Sequence, residues 1–292
     1  MQSSGLKKTS GGDIFIVILM VFLIILCILP VLNVAATAFS SASAVQRQEV
    51  VFWPVEFQTD SIMTVLNDAR FIRSLLWTAV LTVLVVVINL IMTILCAYPL
   101  TYMSLKGRKI ISFFIVFTML FSAGLIPAFV LFRDLGLLDN PLVLILPGMI
   151  SVFNMVIIRN FFLGIPDSLR ESAEMDGAGP MTILLKIYLP LSTPVLATVG
   201  LFYGVGRWNG FQDALFFLTG APDWHPIQLL LYNILQNIVA VDPLDPGATM
   251  PPGWGPPIEA AAIVVATVPI LAVYPFLQKY FVQGATLGAV KG

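Results

Sequence analysis

The residues of this chain best suited to chemistry lie in one short run, Arg170-Glu171-Ser172-Ala173-Glu174-Met175-Asp176. Gly177 closes it, and Ile187, Leu189 and Pro190 follow at a distance. Four charged groups within seven residues can make charge-assisted hydrogen bonds to a partner. Leu169, Ala173 and Met175 add apolar surface, so a short helix here can lie in a groove on another protein. The plain alternative is a solvated loop whose charges merely avoid lipid. Catalytic chemistry has no comparable footing. There is no Ser/His/Asp set, no pair of membrane aspartates and no His-Glu-x-x-His. The single histidine, His225, has no Cys or His companion to hold zinc, and Cys27 and Cys96 both fall in apolar stretches, away from any disulfide framework or metal set. No Gly-x-x-x-x-Gly-Lys-Ser/Thr phosphate loop occurs, and Gly11-Gly12 does not supply one. The chain is read as a non-enzyme with no cofactor or metal of its own, and any ATP and Mg must sit on other subunits.

The elements that position the charged run are apolar. Of 292 residues 58% are hydrophobic and only 11% charged, against roughly a quarter charged in soluble domains. Residues 14–46, 74–105, 110–132, 141–158, 187–206 and 260–278 contain no Asp, Glu, Lys or Arg. Each run is near or above the roughly 20 residues that cross a bilayer, and lipid leaves backbone groups no partner outside a helix. The expectation is an all-α integral membrane protein with six transmembrane helices in one domain, residues 14–282. It has a short N-terminus (1–13), outer segments 37–70 and 218–257, the charged loop 161–190 and a tail 283–292. With the N-terminus inside, ten Lys and Arg fall on the cytoplasmic side and five outside, the orientation that the positive-inside rule favours. Both termini are then cytoplasmic, in a multi-pass membrane protein. The first apolar run lies behind Lys7 and Lys8 and ends at Pro30 and Asn33 without a small-residue cleavage box, so it reads as a retained span.

Within the loop, Ile165-Pro166-Asp167-Ser168 reads as a helix start with Asp or Ser as the cap. Leu169–Met175 suits a short helix, Gly177-Ala178-Gly179-Pro180 breaks it, and Met181–Tyr188 suits a second. Pro190 and Pro194 mark the entry to span five, about 191–215. Gly124 and Pro127 are expected to loosen span three.

A second set of polar residues lies in or beside the spans. Asn89 and Asn154 either line a hydrophilic path or bond neighbouring helices. Arg207, beside Trp208, Asn209 and Gln212, pairs with Asp213, meets an anionic group on a passing solute, or snorkels to the outer interface. Trp224 and Trp254, set among eight prolines in 218–257, are either contacts for an extracellular partner or interfacial anchors.

The order Glu171-x-Ala173, three residues, Gly177, nine residues, Ile187-x-Leu189-Pro190 resembles the EAA loop of ABC importer membrane subunits. Ser172 stands where that family usually has Ala, a small-for-small change. Leu135-Gly136-Leu137 with Asn140, Leu146-Pro147, Arg159-Asn160-Phe161-Phe162, Trp208-Asn209 and the terminal Val290-Lys291-Gly292 are similar to the carbohydrate, maltose-type branch. The likeness covers most of residues 50–292. It implies a type I importer fold and a permease subunit of a bacterial or archaeal cell membrane that moves a carbohydrate by alternating access. Such a subunit pairs with a homologous second permease subunit, two ATPase subunits and an extracytoplasmic solute-binding protein. In such proteins the loop is a coupling helix docked in a cleft of the ATPase, and the tail reaches toward the ATPase dimer, which gives Lys291 and Gly292 a second contact. The cargo reads as an oligosaccharide, with a uronate-bearing one suggested by the polar set around Arg207. Amino acid, peptide or phosphate cargo is the alternative within the same architecture. A self-powered secondary transporter is the rival outside it, and the scarcity of ionisable groups in the spans counts against that. The bilayer is the remaining partner, and no nucleic acid is expected.

Overall fold

The computed structural model describes residues 11–236 and 255–289, and these residues contain helices, turns and loops but no strand. Two compact units share the chain. One consists of described residues within Met1–Ala69 and Asn233–Thr267, the other of those within Arg70–Tyr232 and Val268–Gly292.

The first unit begins with α1 (Gly11–Ala38), whose side chains from Ile14 to Leu26 are exposed apolar groups on every side. A helix apolar all round belongs in lipid or against other membrane helices. A polar clasp follows. Ser41 caps the short α2 (Ala42–Gln46) by accepting from the Ala44 amide at 3.1 Å. The Ser40 hydroxyl accepts from the Val55 amide at 3.0 Å, and Phe39 stacks on Phe57 with ring centroids 5.6 Å apart. Glu56, at φ +52°, receives the Ser41 and Ser43 hydroxyls, and Arg47 lies 3.1 Å away. These bonds hold its carboxyl below the usual 4.5, the Ser41 bond first, then Ser43, then Arg47. α3 (Asp60–Asn67) completes the segment.

The second unit is organised on α4 (Ala69–Ala97), whose buried face runs Ser74, Thr78, Leu81, Val85, Asn89, Thr93 and Ala97. Polar groups turned inward suit a membrane helix, where interhelical hydrogen bonds replace the hydrophobic drive available in water. The span expected over 110–132 is broken. α5 (Arg108–Leu120) and α6 (Leu125–Asp134) meet at 114°. Gly124 forms the corner at φ +88°, a backbone conformation that glycine adopts without steric cost. Two 3₁₀ turns, Pro141–Leu144 and Leu146–Gly148, lead at 45° into α7 (Val152–Leu163).

The charged loop forms α8 (Asp167–Met175), α9 (Pro180–Ile183), a π-type turn Leu184–Tyr188 and α10 (Leu189–Leu191). Pro190 explains the widened turn. It has no amide to donate to Lys186, and its ring crowds that carbonyl. α11 (Thr193–Asn209) then leaves at 84°. Its last residue is Asn209, capped by Gly210, so span five stops six residues before the expected end at 215, and α12 (Gln212–Phe217) is a separate turn. α13 (Ile227–Leu235) and α14 (Pro256–Ala289) follow. α14 continues through the boundary expected at 283, so the tail begins as helix. Lys291 and Gly292 lie outside the described residues, as does Trp254.

α4 and α11 approach closely because Gly200 and Gly204 face α4. A Cβ at Gly200 would lie 3.2 Å from Leu90 Cδ1, and one at Gly204 3.4 Å from Val86 Cγ2. Small residues at such crossings let backbones pack without a hydrophobic driving force. Among the described residues, three bent helix pairs and three straight helices account for up to six spans by length and composition.

Candidate functional site

α8 has no side-chain cap at its start. Pro166 occupies that position, and Asp167, expected as a cap, sits in the first turn, where its charge favours the helix dipole. The other end is fully capped. The Gly177 amide donates to Glu174 O at 3.0 Å and the Ala178 amide to Ala173 O at 2.9 Å, with Gly177 at φ +80°. This is the Schellman arrangement, and it requires a left-handed residue. The glycine in the spacing pattern is therefore the corner between the two loop helices.

Two faces of α8 differ. Glu171, Ser172, Glu174, Asp176, Leu169 and Met175 are exposed, Met175 by 88%. Ala173 turns inward onto a core of Tyr98, Phe162, Ile183, Leu184 and Tyr188, against which Ile187 and Leu189 also pack. Arg170 belongs with this inner side rather than with the exposed acids. Its side chain is 17% exposed, 3.0 Å from Asp167 and 3.8 Å from Glu174, with its guanidinium carbon 5.0 Å above the Tyr102 ring. Pro190 is exposed at the far end of the loop. The apolar side expected from Leu169, Ala173 and Met175 is thus divided, with Leu169 and Met175 on the open face.

The path candidates also divide. Asn89, Asn154 and Arg207 line one cavity of about 490 Å³ together with Ser151, Tyr203 and Asp213. Asn89 Nδ2 donates to Gly148 O at 3.0 Å, while its buried Oδ1 has no partner among the described residues. The Tyr203 hydroxyl accepts from the Ser151 amide at 3.0 Å and shares a 2.7 Å hydrogen bond with Thr93, joining α4, α7 and α11. Of the readings of Arg207, pairing with Asp213 is the observed one. Arg207 is 8% exposed, and its guanidinium bonds both Asp213 oxygens, Gly210 O at 2.8 Å and Leu144 O at 3.4 Å. Its charge is compensated within the chain. Trp208 is elsewhere, buried along an apolar groove of about 860 Å³ between α4, α11 and α14, and Asn209 and Gln212 are exposed away from the cavity. Trp224 packs edge-on against Trp77 at 4.8 Å, and its carbonyl accepts from Trp77 Nε1 at 2.8 Å, which leaves the indole 39% exposed. Among the described residues no cluster of three metal-ligating side chains occurs.

Tyr98, Tyr102, Thr93 and Tyr203 are the site residues that sequence reasoning missed. The four-residue steps Asn89, Thr93 and Tyr98, Tyr102 carried a signal, since polar groups repeating on one face of an apolar helix mark its buried side.

Residues 12–286 match the family described as binding-protein-dependent transport system inner membrane component. The chain is 42% identical over 268 residues to the polygalacturonan/rhamnogalacturonan transport system permease protein YtcP of Bacillus subtilis (strain 168), covering 91% of this chain and 93% of that protein. It is 39% identical over 292 residues to Protein LplC of the same organism, covering 98% of each. A chain in the crystal structure of a bacterial ABC transporter involved in the import of the acidic polysaccharide alginate superposes with a TM-score of 0.85 at 34% identity, covering 94% of this chain and 100% of that one. A match across nearly all the residues, with the same helical architecture, makes this a multi-pass transport component rather than an enzyme: the chain belongs to the family of inner membrane components of binding-protein-dependent transport systems.

Proposed function

We propose that this chain is one of two permease subunits of an ATP-driven importer for acidic oligosaccharides. A homologous second subunit packs beside it, a solute-binding protein delivers the sugar from outside, and two ATPase subunits carry ATP and Mg on the cytoplasmic side. The exposed face of α8 carries this reading. Glu171, Glu174, Asp176, Leu169 and Met175 project away from a capped and buried inner side, which suits a rigid helix seated in a groove of a partner. The excess of Lys and Arg on one side, ten to five, supports a cytoplasmic position for this loop and for both termini. The tail reading places Lys291 and Gly292 at a second ATPase contact.

Relatives named for polygalacturonan/rhamnogalacturonan transport and for alginate import support a uronate-bearing cargo. Selection for acidity is assigned to the binding protein or the second subunit, because Arg207 is already neutralised by Asp213. The cavity at Asn89 and Asn154 suits hydroxyl groups instead. The test is uptake by the assembled complex of oligogalacturonate against a neutral oligosaccharide of the same length. Preference for the acidic sugar supports the reading, and equal uptake of an amino acid or peptide would replace it.

A further inference from the structure

The loop helices are fastened to the end of α4 by two tyrosines. Tyr98, 5% exposed, places its hydroxyl 3.0 Å from Pro180 O and 2.6 Å from the Tyr102 hydroxyl. Pro180 opens α9, on one side of the Gly177 corner. The Tyr102 ring lies under the guanidinium of Arg170, in α8 on the other side of that corner, at 5.0 Å. With Tyr98 donating to Pro180 O and Tyr102 donating to Tyr98, one relay serves both halves of the loop. The rings add a packed frame. Tyr98 meets Tyr188 at 5.1 Å, Phe162 at 6.3 Å and Tyr102 at 5.4 Å, and Phe162 meets Tyr188 at 5.3 Å, all edge-to-face. Such pairs favour one geometry over sliding ones, and low polarity around a buried hydroxyl strengthens its bonds.

The geometry points to Tyr98 and Tyr102 as positioning residues that make the loop and α4 move as one piece, so that displacement of α8 by the ATPase reaches the polar cavity through α4. Nine residues of helix, about 14 Å, separate Tyr98 from Asn89, and Thr93 lies between them, bonded to Tyr203. α4 is unbroken over that distance. A push on the loop is therefore delivered to the cavity wall at Asn89 and to the α4–α11 joint at Thr93 and Tyr203. Arg170 is the loop's own part of the clamp. Its planar guanidinium stacks on Tyr102 while Asp167 and Glu174 hold it on both sides, a role that a lysine ammonium does not reproduce. This inference rests on the reading of α8 as the ATPase contact and adds where the motion goes.

The test uses the assembled complex in lipid, with Cys27→Ser and Cys96→Ala as background and spin labels at Ser168→Cys and Leu95→Cys, both exposed positions. The distance between labels is measured without nucleotide and with ATP trapped by vanadate. The expected result is one narrow distance, unchanged by nucleotide, which broadens in Tyr98→Phe. That variant keeps the ring and loses the hydroxyl with its bonds to Pro180 and Tyr102, and it should move about fivefold less oligogalacturonate per ATP hydrolysed. Tyr98→Phe with Tyr102→Phe should be no worse than Tyr98→Phe alone, because both act through one relay. A label distance that changes with nucleotide in the parent, or a Tyr98→Phe variant with the parent's distance and ratio, overturns the proposal while α8 docking stands. A separate single label at Met175→Cys whose mobility ignores the ATPase subunits overturns the docking reading and the proposal together.

Discussion

Replacing Gly177 by valine should uncouple ATP hydrolysis from transport while leaving the spans folded, and the structure sets the size of the effect. An ideal Cβ at Gly177 meets nothing within 4 Å, so no steric clash contributes. The whole cost is conformational. Holding a residue with a Cβ at φ +80° costs about 1–2 kcal/mol, and β-branching makes that region worse. Escape from the left-handed region gives up the Gly177–Glu174 and Ala178–Ala173 hydrogen bonds, each about 1 kcal/mol. Either route comes to about 2 kcal/mol, which lowers the population of the capped corner by up to about 30-fold. The assay is substrate moved per ATP hydrolysed in proteoliposomes holding the complete complex, for Gly177→Asn, Gly177→Ala and Gly177→Val. Asparagine tolerates the left-handed region better than alanine or valine, so the ratio should fall in the order Gly, Asn, Ala, Val. A valine variant with the parent ratio, or an asparagine variant as impaired as valine, refutes the corner argument.

Arg207→Met should lower the thermal midpoint of the complex, because Asp213 then keeps a partly buried charge without its partner. The loss is about 1–3 kcal/mol after allowance for the 33% exposure of Asp213, and Arg207→Met with Asp213→Leu should recover most of it in a double-mutant cycle. Gly200→Ile should destabilise by about 1–3 kcal/mol through overpacking against Leu90 and Val86, whereas Gly206→Ala, with open space around its Cβ, should be neutral or slightly stabilising in thermal unfolding. The polar clasp around Ser40, Ser41 and Glu56 should loosen in acid. Glu56 titrates below its ordinary 4.5 when folded, so its contribution is present above that value and lost as pH falls through the folded one. Hydrogen exchange at the Val55 amide should rise in that window, and Glu56→Gln should remove the pH dependence.

The loop was legible because its signals are local. Asp167 to Met175 suits a helix, and Gly177 is glycine for a backbone reason that no other residue answers equally well. The spans were legible from charge-free runs, but their breaks were only half visible. Gly124 and Pro127 foretold a weak point in span three, yet a 114° bend depends on what packs against α5 and α6, which is not encoded nearby. Arg170 shows the same limit. Its neighbours on α8 are solvent-facing acids, and what turns it inward is Tyr102, far away in sequence. Asn89 stood out as polar in an apolar run. Thr93 and Tyr203 did not, since a threonine hydroxyl is cheaply hidden by bonding its own helix backbone and a tyrosine suits a membrane interface as well as a core; their mutual 2.7 Å bond and the Ser151 amide give them a role. Arg207 admitted several partners until α12 placed Asp213 beside it.

The central claim, that this permease is driven through its loop by separate ATPase subunits, is tested most directly by uptake of labelled oligogalacturonate into proteoliposomes. The two permease subunits are reconstituted with and without the ATPase subunits, with binding protein outside and either ATP inside or an imposed proton or sodium gradient. Uptake should occur only with the ATPase subunits and ATP, and should be lost when the exposed Glu171 and Glu174 are both changed to lysine. Uptake driven by an ion gradient in vesicles without the ATPase subunits would contradict the account.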